Sequence, residues 1–521
     1  MRRIWKIAIT LTLFCVSLTV AIGRIPSEDL PTPTIYIILL GLVGIGTLTT
    51  LYGPPMEVGF PILILTAALP VFLVIGPGKP GLYGYDPYYI LSAAQEFKSG
   101  IGIDTLIYEY NTRPLLYGLI TVLSSISDIK IGTVGKYLPL MTVFMLVFLI
   151  LLFRTRERVI VALLAGFAIA MSRPMLLFQS KLVLQIISVP LLFLVLFLSL
   201  RYPSSKRLTA TGLLVAFSLA IAHKVTAAIA LVLLCCLAFS LQATKTPLRR
   251  IVGERDLNDT RVSDLIQLAL LIGIIFICTF IYADENAFIG YSLSLFTSDQ
   301  VGSSATALPG YTLIQTVAIY GQLALLAVLS IMNAVVVLPN YNSRWWEVGL
   351  VGFNGLLMVT FLYQSTTGSL TGLHANRLLL FSVPLLFVIA LSVIYRVERL
   401  NSLSSVRSGV IVALILSFSA VQLMGVAPHA LYGDMDDPIA ESHFSTELRS
   451  GADWGADYAD EIIGFERDVW RDYAGATFTD ISWTNNCRQG ALFVVRDGVS
   501  AYETDKKNNI YQSTNLTLYQ C

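Results

Sequence analysis

The stretch Gly81–Phe97, GLYGYDPYYILSAAQEF, follows an apolar run at 59–76 and carries one acid near its start, Asp86, between tyrosine-rich flanks. The chemistry open to Asp86 depends on the side of a membrane it faces, so topology comes first.

Of the 521 residues, 55% are hydrophobic and 13% charged, against about 25% charged in a soluble domain. Apolar runs long enough to cross a bilayer recur over 7–22, 35–52, 59–76, 133–153, 158–173, 183–200, 207–222, 225–241, 263–283, 311–337, 347–364, 377–396 and 408–426. The expected fold is an all-α polytopic membrane protein with 13 spans. The N-terminus has the charge and apolar run of a signal peptide but no convincing small-x-small cleavage site, and a retained first span is expected.

Lys and Arg set the orientation. With the N-terminus in the cytoplasm, the inner segments hold 18 of the 35 basic residues, the outer loops 10 and the C-terminal tail 7. RTRER, residues 154–158, is the strongest single pin. This orientation requires RPLLYGLITVLSSISDI, 113–129, to lie on the membrane surface instead of crossing. Leu115, Leu116, Leu119, Val122, Leu123 and Ile126 are expected on its apolar face, with Thr121, Ser124, Ser125 and Asp128 opposite. Residues 77–132 then form one external loop with two surface helices, the first opened by Asp86.

Residues 1–426 make the membrane domain. The tail, 427–521, has 16 acidic and 7 basic residues and reads as a small external α+β domain. An acidic helix is expected over 447–462, and strands over 490–498 and 509–520. An acidic outer face suits high salt, although an ordinary solvated surface has the same composition. The predicted location is a prokaryotic plasma membrane, archaeal ones included, with the tail outside. Cys487 and Cys521 are the only cysteines of the tail. A bridge between them would lie where oxidation is permitted.

Topology gathers polar side chains at the outer boundary: Asp86, Glu96, Glu109, Arg113, Arg173, Lys181, His223, Lys224, Asp284, Glu285, His374 and Arg377. A single cation at a span end is accounted for by snorkelling, and Asp86 before Pro87 by helix capping. Cationic or imidazole side chains returning to one face from four separate loops point further, because Arg and Lys suit phosphate. A carboxylate beside such a pocket suits removal of a hydroxyl proton.

YDPYYILSAAQEFKSG in a long first external loop, then TRPLLYGLITVLSSI, then a span ending in FRTRER, resembles the GT-C superfamily of membrane glycosyltransferases. Within it the chain resembles the protein-mannosyltransferase and aminoarabinose-transferase type. The resemblance covers about 59–426. It implies a polyprenyl- or dolichyl-phosphate sugar as donor, inverting transfer, and Asp86 as the base. It places Arg377 on the lipid phosphate; Lys181, Arg173, Lys224 and His374 stand as further donor-side candidates. Glu109, Arg113, His223, Asp284 and Glu285 stand as acceptor-side or secondary candidates. Expected partners are the lipid-linked sugar, a glycan, lipid or protein acceptor, and membrane lipids, with no nucleic acid.

The sequence departs from the family in three places. SRPMLLFQSKLVLQ has no acid where many members have one, so a divalent metal is unsupported and no cofactor is expected. The tail lacks the WWDYG-type motif of oligosaccharyltransferases. Three spans, not one, precede the first external loop. A secondary transporter and a ligase or polymerase of lipid-linked glycans remain the alternatives. Against a transporter, nearly all charges sit at span ends.

Overall fold

Helix Arg156–Ala170 is apolar on every side beyond its first turn, so it can be stable only when surrounded. A computed structural model of the chain surrounds it. The structure describes residues 32–75, 86–100, 114–152, 156–172, 174–176, 182–201, 206–243, 260–283, part of 321–331, 345–367, 375–396, 404–424, 461–464, 491–496, 508–512 and 516–520.

The helices are α1 (Thr32–Tyr52), α2 (Phe60–Ile75), α3 (Asp86–Lys98), α4 (Leu115–Ser127), α5 (Ile131–Tyr137), α6 (Val143–Leu152), α7 (Arg156–Ala170), α8 (Gln185–Arg201), α9 (Lys206–Ala222), α10 (Lys224–Ala243), α11 (Thr260–Ala283), α12 (Trp345–Thr367), α13 (Ala375–Arg396) and α14 (Ser404–Met424). Helix α7 packs on α1, α2, α6, α13 and α14. Its Ala162, Ala165, Gly166, Ala168 and Ala170 are small, which lets neighbouring backbones come close in lipid. A Cβ on Gly166 would lie 2.6 Å from Leu63 Cδ2 of α2. On the other side of the molecule α10 joins α11 and α12, and α8 joins α6, α9 and α10.

Pro55–Phe72, Ile131–Leu152 and Val225–Ala243 combine the length and hydropathy needed to cross a bilayer. Helices α1, α11, α12, α13 and α14 have 21 to 24 residues, enough for a hydrocarbon core of about 30 Å. Exposed Ile266, Leu270, Ile274 and Ile277 form one stripe along α11, as a lipid-facing helix requires. The chain is a membrane protein.

Described helices fall on eleven of the expected spans; 7–22 lies outside the described residues and 311–337 is described only in part. Three expectations change. The run 133–153 is not one helix: α5 gives way to a 3₁₀ turn, Leu138–Thr142, before α6. Pro139 has no N–H to continue the ladder, and its ring opposes the carbonyl four residues back. The expected acidic helix over 447–462 does not reach its end, because Glu461 and Ile462 belong to strand β1 (Glu461–Gly464). Two adjacent β-branched isoleucines favour the pleated form. Strand β1 runs parallel to β2 (Ala491–Arg496), Ile463 opposite Phe493. Strands β3 (Asn508–Gln512) and β4 (Leu516–Gln520) complete a sheet of order β1-β2-β4-β3, with both remaining pairings antiparallel.

The third change concerns α4. At 13 residues it spans about 20 Å, too short to cross. Its buried side is Leu116, Tyr117, Ile120, Thr121 and Ser124, while Val122, Leu123 and Ile126 are exposed, Ile126 by 79%. Thr121 and Ser124 therefore face protein, not water. The exposed leucine, valine and isoleucine side matches lipid.

Candidate functional site

Asp86 is the first residue of α3. Ile90, Ala93 and Ala94 form the buried side of that helix, at the spacing of one helical face. Helix α3 rests on α4 and α5. Thr121 Oγ1 lies 2.9 Å from Ala94 O and 2.9 Å from Tyr117 O, sharing its proton between them. Lys98 Nζ donates to Ser124 Oγ at 3.3 Å. The rings of Phe97 and Tyr117 meet edge to face, 5.8 Å between centroids. These contacts bind the helix of Asp86 to the surface helix beside it.

Burial pushes the Tyr117 phenol up to about 12, because the phenolate would lose its hydration. Its hydroxyl is buried and has no hydrogen-bond partner among the described residues.

The next contact is made through α5. A Cβ on Gly135 would lie 2.6 Å from Leu91 Cδ2 of α3 and 3.1 Å from Leu182 Cδ2. Leu182 leads into α8, whose first residue, Gln185, lies 3.2 Å from the Nε2 of His223. Lys224 then begins α10. One continuous set of contacts thus runs from the helix of Asp86 to the first turn of α10.

Of the other candidates, Arg377 is the third residue of α13, which packs on α7 and α12. Glu96 lies on α3 and is half-buried. Glu109, Arg113, Arg173, Lys181, Asp284, Glu285, His374, Cys487 and Cys521 lie outside the described residues. Among the described residues, no three His, Cys, Asp or Glu side chains gather as a metal ion would need. Gln185, Ser188 and Thr226, buried beside His223, were not singled out by the sequence. Their signal there is slight: each is a lone polar residue in an apolar run.

No protein-family model and no curated protein matches the sequence. Solved structures match the fold. ArnT from Cupriavidus metallidurans, bound to undecaprenyl phosphate, aligns over 88% of this chain and 98% of its own at 13% identity, with a TM-score of 0.55. Its apo state gives a TM-score of 0.54. The fold is that of the GT-C glycosyltransferases. The oligosaccharyltransferase AglB from Archaeoglobus fulgidus, in complex with an inhibitory peptide and a dolichol-phosphate, aligns over 81% of this chain at 11% identity and a TM-score of 0.51. The chain spans only 64% of that AglB chain, and 63% of the same organism's enzyme tethered to an acceptor peptide.

Proposed function

We propose that the chain transfers a sugar from a polyprenyl-phosphate carrier to an acceptor hydroxyl at the outer membrane face, with inversion. The observation that carries this is the placement of Asp86 at the head of a surface helix, within a GT-C fold, joined through Gly135 and Gln185 to the helix that Lys224 begins. The neighbours' complexes with undecaprenyl phosphate and dolichol-phosphate support a lipid phosphate as the donor's carrier.

The reaction proceeds in one displacement. Asp86 takes the acceptor's hydroxyl proton, and the acceptor oxygen attacks the anomeric carbon from the face opposite the phosphate. The bond from that carbon to the phosphate oxygen breaks, and its electron pair leaves with the polyprenyl phosphate. Arg377 and Lys224, with Lys181, Arg173 and His374, hold the leaving group as its charge grows. The acceptor is a glycan, a lipid or a protein. The N-terminus lies in the cytoplasm, and the tail, 427–521, forms an outer α+β domain. That placement rests on the distribution of Lys and Arg.

The test separates a base from a helix cap. Asn caps as well as Asp, but is no base. Asp86→Asn should fold and bind donor normally, and lose about 10²-fold or more of its transfer rate. Transfer near the native rate by Asp86→Asn, with its proper acceptor supplied, would reduce Asp86 to a cap.

A further inference from the structure

Only His223 separates α9 from α10. Its N–H reaches Leu219 O at 3.4 Å and its carbonyl accepts Ala227 N–H at 3.0 Å, so one residue closes a helix and opens the next. The imidazole is only 6% exposed. Thr226 N–H donates to Nδ1 at 3.2 Å. That is the bond an N-cap side chain makes to the third residue of a helix, and here an imidazole makes it. Thr226 Oγ1 lies 2.8 Å from the same nitrogen, and Ser188 Oγ lies 2.9 Å from Thr226 Oγ1.

An Nδ1 that accepts leaves the ring proton on Nε2. Gln185 Nε2 lies 3.2 Å from that nitrogen; with the amide turned over, its oxygen receives the proton, and the hydrogen-bond network selects that orientation. His223 therefore joins the first turn of α10 to the first turn of α8 with both ring nitrogens. The turn so held carries Lys224. A lysine in a helix's first turn opposes the helix dipole, so this turn needs support from elsewhere.

We propose that His223 is a positioning residue: by capping α10 and tying its first turn to Gln185, it fixes the backbone of Lys224 for contact with a lipid-linked phosphate. This rests on the transferase reading above. His223 then contributes to donor binding through Lys224, not by touching the donor or acceptor.

The test is a double-mutant cycle on the purified full chain, with a short-chain polyprenyl phosphate as the probe. Lys224→Ala should weaken probe binding about tenfold, the order of one charge-assisted hydrogen bond. His223→Ala should weaken it by a similar factor, and the double variant should be no weaker than Lys224→Ala alone. His223→Asn keeps a capping acceptor and should stay within about threefold of native. His223→Gln, which reaches Gln185 but caps poorly, should behave like His223→Ala; this pair carries the test if His223→Ala does not fold. Losses that multiply in the double variant would overturn the inference. So would His223→Asn binding no better than His223→Gln, or Lys224→Ala binding as native. A native chain that does not bind the probe would instead bring down the transferase reading, and this inference with it.

Discussion

Gly46→Ala adds one carbon where α1 crosses α7. That Cβ would stand 2.2 Å from both Cε1 and Cζ of Phe167, and 3.0 Å from Cε2. Carbon atoms pack at about 3.5–4.0 Å, so ring or backbone must give way by roughly 1.5 Å. Phe167 is 0% exposed, within a helix buried on all sides, and a close-packed interior has no void to receive the ring. Overpacking of this kind costs about 1–3 kcal/mol, and alanine's better helix propensity returns at most about 1 kcal/mol. The net expectation is a loss of up to about 3 kcal/mol. Gly41→Ala, one and a half turns earlier on the same helix, is the control. A Cβ there meets nothing within 4 Å, so that variant should be neutral or slightly more stable.

The assay is the apparent unfolding midpoint in detergent, with the half-life at one raised temperature read alongside because such unfolding is commonly irreversible. Phe167→Leu should cost stability alone, yet cost less than its single-variant loss when combined with Gly46→Ala, since the leucine vacates the colliding ring. Equal stability of Gly46→Ala and Gly41→Ala would refute the packing of α1 on α7 and, with it, the arrangement of helices around α7.

Three further outcomes follow from particular groups. The Tyr117 phenol is pushed up to about 12 in the fold, against about 10 when unfolded, so its share of stability is whole below about pH 10 and is lost as the pH rises toward 12. Tyr117→Phe should flatten that alkaline limb in a midpoint-against-pH series and, by removing an unpartnered buried hydroxyl, leave neutral-pH stability unchanged or about 1 kcal/mol higher. Arg377→Ala should weaken binding of a polyprenyl phosphate, with Arg377→Lys restoring it only in part because lysine lacks the planar fork; unchanged affinity in both would mark Arg377 as a snorkelling cation. Cys487 and Cys521 should be found bridged in unreduced protein, closing a loop whose constraint contributes about 3–4 kcal/mol in the chain-entropy model; two free thiols after denaturation without reductant would exclude the bridge.

Helix positions were legible because apolar length and flanking charge are local properties. Gln185–Arg201 and Ala375–Arg396 lie where runs at 183–200 and 377–396 end against Lys or Arg. The break at Leu138–Thr142 was also written locally, in Pro139, yet hydropathy alone passes over it. The orientation of α4 was not legible. Leucines and isoleucines lie on both of its sides, so periodicity cannot say which side meets protein, and the Thr121 and Ala94 contact decides it across 27 residues of chain. The network around His223 was hidden for the same reason. Gln185 and His223 are 38 residues apart, and only the packing of α8 on α10 brings them together.

Gly135 shows how such packing bears on chemistry as well as on stability. The proposed base begins α3, and the proposed phosphate-binding lysine begins α10. The link between them passes through Leu91, Gly135, Leu182 and Gln185. A side chain at 135 would press first on the far ends of two leucines, which can rotate, so alanine there should be tolerated in stability. Where that rotation falls short, α3 must shift relative to the start of α8, and a misplacement of about 1 Å between reacting groups is enough to cost about 10²-fold in rate. The close contact at Gly135 therefore places a geometric constraint between the proposed base and the proposed phosphate-binding lysine. On the transferase reading, the contacts of α5 with Leu91 of α3 and with Leu182 would set the distance over which the sugar passes.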